Sequence, residues 1–323
     1  MVIRRTMQKG TKIPVPSAIV SVAMLAACSG SGSLPASLPL DQIRTLALRV
    51  QDLPGTQRQR KPGGLYVGVF GAGYIPEFTI PDRKDLGPRC SDTMPLAGGV
   101  NGIAVDAHRI LYVPYNYNSV HDVATFGPDC GVQGPQLVDQ YDVADVAVND
   151  KTGTVYVGNA QTGNVDVFKK GATTPTGALH NSQHGGSGFG VAVDSAGNVF
   201  NSGSTIVEFP RGHNKGSTAL ALSGLTGPLG LALDSKNNLI VANEYNVVVY
   251  APPYNGAPTY TIATKRFCLY VAVDATNTNL YVSEQKNNAV DVYTYPSGTY
   301  EYSITDIPSR SVGGVALDPP SRT

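Results

Sequence analysis

The chain has 323 residues, 41% of them hydrophobic and 15% charged, with 24 Lys+Arg against 24 Asp+Glu and no tryptophan. That length holds one large repeat domain and leaves no room for a second of similar size. With no basic cluster denser than Arg58-Gln59-Arg60-Lys61, the charge pattern argues against nucleic acid as a partner.

The first 27 residues carry Arg4, Arg5, Lys9 and Lys12 and no acid. An apolar stretch from Ala18 to Ala27 follows. It is too short to span a bilayer, so residues 1–27 read as a secretory signal and not as part of the fold. Without them the chain has 20 basic and 24 acidic residues, a net charge of −4. The segment ends in Leu25-Ala26-Ala27-Cys28, which resembles the lipobox of bacterial lipoproteins. The resemblance implies that Cys28 becomes the lipidated first residue of the mature chain and that the membrane is its partner. Ser29 stands where the resemblance places Asp in proteins kept at the inner membrane, so an exported chain held in the outer membrane is expected. The other reading is an ordinary signal whose cleavage site precedes a Cys. Residues 28–62, beginning Ser29-Gly30-Ser31-Gly32-Ser33, read as a flexible tether.

Residues 63–323 are repeats. Leu65-Tyr66-Val67-Gly68-Val69 has the pattern of a β-strand, and Tyr74-Ile75 and Glu77-Phe78-Thr79-Ile80 are candidates for the next, interrupted by Pro76. A five-residue phrase then returns six times: Gly102-Ile103-Ala104-Val105-Asp106, Asp145-Val146-Ala147-Val148-Asn149, Gly190-Val191-Ala192-Val193-Asp194, Gly230-Leu231-Ala232-Leu233-Asp234, Tyr270-Val271-Ala272-Val273-Asp274 and Gly314-Val315-Ala316-Leu317-Asp318. Its period of 40 to 45 residues is the mark of a β-propeller. A second β-rich run follows each of the first five phrases, such as Val155-Tyr156-Val157 or Leu280-Tyr281-Val282. Third runs include Val165-Asp166-Val167-Phe168, Val247-Val248-Val249-Tyr250 and Val290-Asp291-Val292-Tyr293. Weaker, more polar fourth runs suit outer edge strands. The small phrase residues suit the strand nearest the central channel. The sixth phrase has almost nothing after it, while the N-terminal strands have no phrase before them. The expected fold is therefore all-β: six four-stranded antiparallel blades, closed by the C-terminal strand joining the N-terminal blade.

Export permits disulfides. Cys90 and Cys130 occur in matching contexts one repeat apart, which leaves open both a bridge between adjacent blades and unpaired thiols. Cys268 abuts a phrase strand and reads as a buried small hydrophobe.

In such a topology the link from strand 2 to strand 3 and the link to the next blade share one face, where propellers usually bind ligands. Asn116, Asn159, Asn201, Asn243 and Glu284 follow second strands. Asn101, Asp142, His184, Arg266 and Arg310 lie in inter-blade links. A ring of Asn with one Glu offers oxygen ligands to a hard cation. The same Asn side chains also end strands well by bonding nearby backbone. The Asp closing five of the six phrases reads as a turn cap, because one catalytic site needs unlike groups. His180 and His184 could serve a metal or acid–base chemistry, or be plain polar loop residues.

The phrase, then an apolar-Tyr-Val strand, then Asn, then Val-x-Val-(Phe/Tyr), resembles the NHL repeat over residues 64–318. That resemblance implies a propeller, in a class containing protein- and ligand-binding modules. Related six-bladed propellers include gluconolactonase-type hydrolases with a channel metal held by Glu, Asn and Asp. Two expectations follow. The first is a non-catalytic binding or scaffold lipoprotein with no cofactor, taking a protein or small-molecule ligand at the propeller face. The second is a divalent-metal-dependent lactonase or lyase with Asn159, Asn243 and Glu284 near the metal.

Overall fold

The computed structural model describes residues 63–71, 74–80, 85–89, 99–128, 134–182, 188–212, 217–307 and 311–319. The signal segment, the tether, Cys28, Cys90, Cys130, His184 and Arg310 lie outside these residues.

Each repeat forms an antiparallel sheet, and there are six. Blade 1 contains β1 (Gly63–Val69), β2 (Ile75–Ile80) and β3 (Asp85–Arg89). In blade 2, β4 (Gly99–Val100) and β5 (Ala104–Val105) together form the inner strand against β6 (Leu111–Tyr117), followed by β7 (Val120–Phe126) and β8 (Leu137–Asp139). Blade 3 runs β9 (Val143–Asn149), β10 (Thr154–Asn159), β11 (Val165–Phe168) and β12 (Gly177–Leu179). Blade 4 runs β13 (Val191–Val193), β14 (Val199–Ser202), β15 (Ile206–Phe209) and β16 (Thr218–Ala219). Blade 5 has β17 (Pro228–Leu233), β18 (Leu239–Tyr250) and β19 (Tyr260–Cys268), and blade 6 has β20 (Val271–Val273), β21 (Asn279–Glu284), β22 (Ala289–Thr294) and β23 (Tyr300–Ile304). The last strand, β24 (Val312–Asp318), pairs with β1 through Leu65↔Leu317, Tyr66↔Ala316 and Val67↔Val315. The C-terminal phrase thus completes the N-terminal blade and removes both free edges that a linear array would expose.

Two details differ from the sequence pattern. Pro76 does not interrupt its strand. It lies just beyond the β1 ladder, whose last pair is Tyr66↔Glu77, so its missing N–H removes no bond there. In blade 5 the expected second and third runs follow one another without a break inside β18, and the blade keeps both of them: Ile240, Ala242, Val247 and Val249 share one wedge while Leu239, Val241, Val248 and Tyr250 share the other. The first part of β18 pairs with β17 up to Asn243, and the part from Glu244 onward pairs with β19. Glu244 takes a φ of 59° at the junction.

Apolar residues alternate along the strands, so each blade packs both faces on its neighbours. The core is accordingly six clusters, one in each inter-blade wedge. The wedge at the closing seam joins Leu65, Val67 and Phe78 of blade 1, and Val315 and Leu317 of β24, to Tyr281, Val290 and Val292 of blade 6. Cys268 is fully buried in the wedge between blades 5 and 6, and burial pushes its thiol up to about 12.

The phrase Asp residues are turn caps. Asp194 Oδ1 accepts from the N–H of Ala196, Gly197 and Asn198, and Asp234 and Asp274 make the same kind of bonds. Asn149 substitutes for Asp in blade 3, accepting from Lys151 and Thr152. Neighbouring turns are also tied together. Asn237 bonds Ser195, Asn277 bonds Ser235, and Asp150 accepts from Ala107 N. At the seam Asp318 instead takes the guanidinium of Arg109.

Candidate functional site

The face that carries the strand 2-to-3 links and the inter-blade links is built around the leading ends of the six inner strands. The first residues of the phrases meet there in a ring: Gly102, Asp145, Gly190, Gly230, Tyr270 and Gly314. Glycine is needed at four of these positions: at Gly190, Gly230 and Gly314 a neighbouring backbone nearly touches, and at Gly102 the side chains of Asp145 and Tyr270 do. A Cβ on Gly314 would lie 2.6 Å from Gly102 Cα, and one on Gly190 would lie 2.7 Å from Leu231 N. Backbone hydrogen bonds stitch the junctions: Gly102 N donates to Ala144 O at 2.9 Å, Gly230 N to Leu269 O at 2.9 Å and Gly314 N to Asn101 O at 2.7 Å.

The two positions that are not glycine close the centre. Tyr270, in blade 6, reaches across the ring to blade 3 and donates its hydroxyl to Ala144 O at 2.9 Å. Asp145, beside Ala144, accepts from Val146 N through Oδ1 and from Val191 N through Oδ2, both at 2.9 Å. It therefore bridges blades 3 and 4. Both side chains are buried, and each would collide with any side chain at Gly102. Burial pushes the Asp145 carboxyl up to about 8, against the two N–H groups that favour its charged form. Burial and the adjacent Asp145 raise the Tyr270 phenol further above its ordinary range. Beyond this plug, toward the opposite face, the channel widens to a cavity of about 160 Å³ walled by the aliphatic phrase residues.

The predicted face residues do not converge on this ring as a ligand set. Asn116 holds the chain entering blade 3: its Nδ2 donates to Val143 O at 2.8 Å and its Oδ1 accepts from Val143 N at 2.9 Å. Asn159 Oδ1 accepts from Gln161 N and Thr162 N. Asn201 donates to Gly190 O. Asn243 Oδ1 accepts from Thr226 N and Gly227 N, and its Nδ2 donates to Gly224 O. Asn101 Nδ2 donates to Val143 O, and Asp142 lies 2.8 Å from His121 Nδ1. His180 is exposed. These Asn side chains replace absent backbone partners at strand ends, the bland reading of their position.

Glu284 differs. It is fully buried, Asn287 donates to its Oε2 at 3.4 Å, and its Oε1 has no partner. Burial pushes its carboxyl up to about 7, with Asp291 adding to the rise and Arg266 opposing it. Arg266 lies 3.9 Å from Asp291. For the divalent metal that the resemblance implies, the set Asn159, Asn243 and Glu284 is a poor fit. The two amide oxygens that would ligate it are held by backbone N–H groups. Among the described residues no three His, Cys, Asp or Glu side chains form a metal-holding group.

The face also exposes aromatic residues. Tyr117, Tyr141, Phe189 and Tyr245 are all exposed, Tyr245 at 59%. Tyr141 and Phe189 lie in inter-blade links, Tyr117 ends β6 at the turn into β7, and Tyr245 follows Glu244 within β18, so the topology puts all four on this face. Tyr245 meets Phe267 edge to face at 5.6 Å, and Lys286 lies 5.7 Å above the Phe267 ring. The plug and this aromatic set escaped the reading of the sequence. The signal for the plug was there, since only two phrases do not begin with Gly.

No family model matches the chain, and no curated protein matches it in sequence. Among solved structures, a chain from the crystal structure of a nidogen/laminin complex matches with a TM-score of 0.66 and 14% identity, covering 79% of this chain and 98% of that one. A protein of unknown function from Bacteroides caccae matches with a TM-score of 0.62 and 12% identity, again covering 79% and 98%. At such identities the likeness shows the fold, a six-bladed propeller.

Proposed function

We propose that this chain is an exported lipoprotein, anchored at Cys28 in the bacterial outer membrane, whose propeller is a non-catalytic binding module. The observation that carries the reading is the plugged channel mouth. Among the described residues, Tyr270, Asp145 and four close-packed glycines crowd the channel mouth at the face where a propeller enzyme would admit its substrate. Binding at that face must then use the surface, where four exposed aromatic residues supply contact area of the kind enriched at protein interfaces. One solved structure of similar fold comes from a complex of two proteins, a precedent for protein recognition by this architecture. The lipobox-like Leu25-Ala26-Ala27-Cys28 and the Ser-Gly tether support a body that stands off a membrane.

The alternative is the metal-dependent lactonase or lyase, and the orphan oxygen of Glu284 is what favours it. Thermal unfolding of the full chain with calcium, magnesium, zinc or a chelator separates the two. A site filled at about 100 times its dissociation constant adds roughly 2.7 kcal/mol, which raises the midpoint by several degrees. The binding-module reading expects no shift. A shift with one metal that disappears in Glu284→Gln overturns it. The anchor is tested separately, by labelled-palmitate incorporation that Cys28→Ser abolishes.

A further inference from the structure

On the opposite face, the link between strands 3 and 4 of a blade leans back on the blade before it. At two junctions a tyrosine from this link fills the crevice between blades. Tyr254 of blade 5 packs edge to face on Phe200 of blade 4, at 4.9 Å and 72°, and donates its hydroxyl to Asn237 O at 2.7 Å. Tyr295 of blade 6 donates to Asp234 Oδ2 of blade 5 at 2.9 Å. Both are buried.

The junction between blades 3 and 4 has no such plug among the described residues. Tyr156 stands in β10 where Phe200 stands in β14. The described part of the blade 4 link is Pro210-Arg211-Gly212, and the turn position matching Asn237 is Gly197. The described residues at this junction line a crevice of about 480 Å³. Tyr156, Val167, Leu179 and Phe209 form its apolar wall. Among the described residues its charged lining is Lys169 and Arg211, with no carboxylate. Neither cation pairs with a described acid. The Arg211 stem lies along Gly197, 3.1 Å from where a Cβ would sit. Its charge is close enough to the Tyr156 phenol to oppose the rise that burial causes there.

We propose that this crevice is a binding site for a small aromatic carboxylate, its ring lodged against Tyr156 where a tyrosine sits at the next two junctions and its carboxylate on Arg211 and Lys169. An apolar slot with a few polar groups of one sign is the usual form of a small-ligand site. An arginine fork matches a carboxylate in shape as well as charge. An edge-to-face ring pair, as Tyr254 makes with Phe200, would orient the ligand. The site lies on the face opposite the proposed binding surface, and it stands or falls independently of that reading.

The probe is 4-fluorobenzoate, followed by fluorine NMR on the full-length chain. Gly177 pairs with Val167, and Val167 pairs with Tyr156, so all three point to the crevice side. A Cβ added at Gly177 meets nothing within 4 Å. Gly177→Phe should therefore fill the slot without strain and abolish binding. Lys169→Gln with Arg211→Gln should weaken binding by about tenfold or more while the circular dichroism spectrum stays unchanged. Fluorobenzyl alcohol, of the same shape without the charge, should bind about tenfold more weakly to the unaltered chain. Absence of binding by the unaltered chain overturns the proposal. So does binding that survives Gly177→Phe, or inorganic phosphate binding as tightly as the aromatic acid.

Discussion

Asp145 and Tyr270 are the residues that set this propeller apart from a bare repeat. An unfolded aspartate titrates near 3.8, and folded Asp145 near 8. Between those values the unfolded chain has released a proton that the folded chain keeps, so stability falls as pH rises from about 4 to about 8. Glu284, raised to about 7, acts in the same direction. So does Asp139, which burial and the neighbouring Asp166 raise. The melting temperature should therefore drop from pH 5 to pH 8, and Asp145→Asn should flatten that slope; an unchanged slope would contradict the assignment. Tyr270 is tested by a pair of substitutions. Tyr270→Phe loses one hydrogen bond to Ala144 O, about 1 kcal/mol. Tyr270→Ala also empties the channel mouth and should cost about 3–5 kcal/mol. Urea unfolding that finds the two variants equal would mean the ring does not pack as a plug.

At the scale of the element, the inner strand is governed by how closely six backbones approach one axis. Central alanine and leading glycine are consequences of that crowding, and the terminal Asp caps the turn into the second strand. Gly190→Ala places a methyl against Leu229 O and Leu231 N of the next blade, backbone that cannot turn aside. It should destabilise by at least about 2 kcal/mol. Gly177→Ala, in an outer strand with open space around it, should change stability by no more than about 0.5 kcal/mol. Denaturant midpoints of the two variants test whether crowding or glycine content matters. Blade 5 shows the limit of reading elements from pattern. Leu239–Val241 and Val247–Tyr250 are separate runs in sequence and pair with different neighbours, β17 and β19, but only two residues divide them, Glu244 with its positive φ and Tyr245, between the bonded pair Asn243 and Asn246.

At the scale of the molecule, closure is the event that makes six weak sheets one domain. The β24 strand supplies Val312, Val315 and Leu317 to the seam wedge and Ala316 to the next. A chain ending at Ile307 should lose its cooperative thermal transition, and a peptide of residues 308–323 added in trans should restore it. A truncated chain that melts like the intact one would show that the ring does not depend on its seam. The sequence by itself determined the repeat, the blade count, the closing strand and the caps, because these follow from local spacing and from residues within a few positions of one another. Only the tertiary structure decided the state of the face. Asp145 and Tyr270 are 125 positions apart and meet solely because the ring sets blade 3 opposite blade 6. Asn116 and Asn243 are occupied by backbone brought to them from the inter-blade links, while Asn159 caps its own turn through Gln161 N and Thr162 N. The same holds for the crevice beside Tyr156, which the described residues leave unfilled where a tyrosine fills the next two junctions.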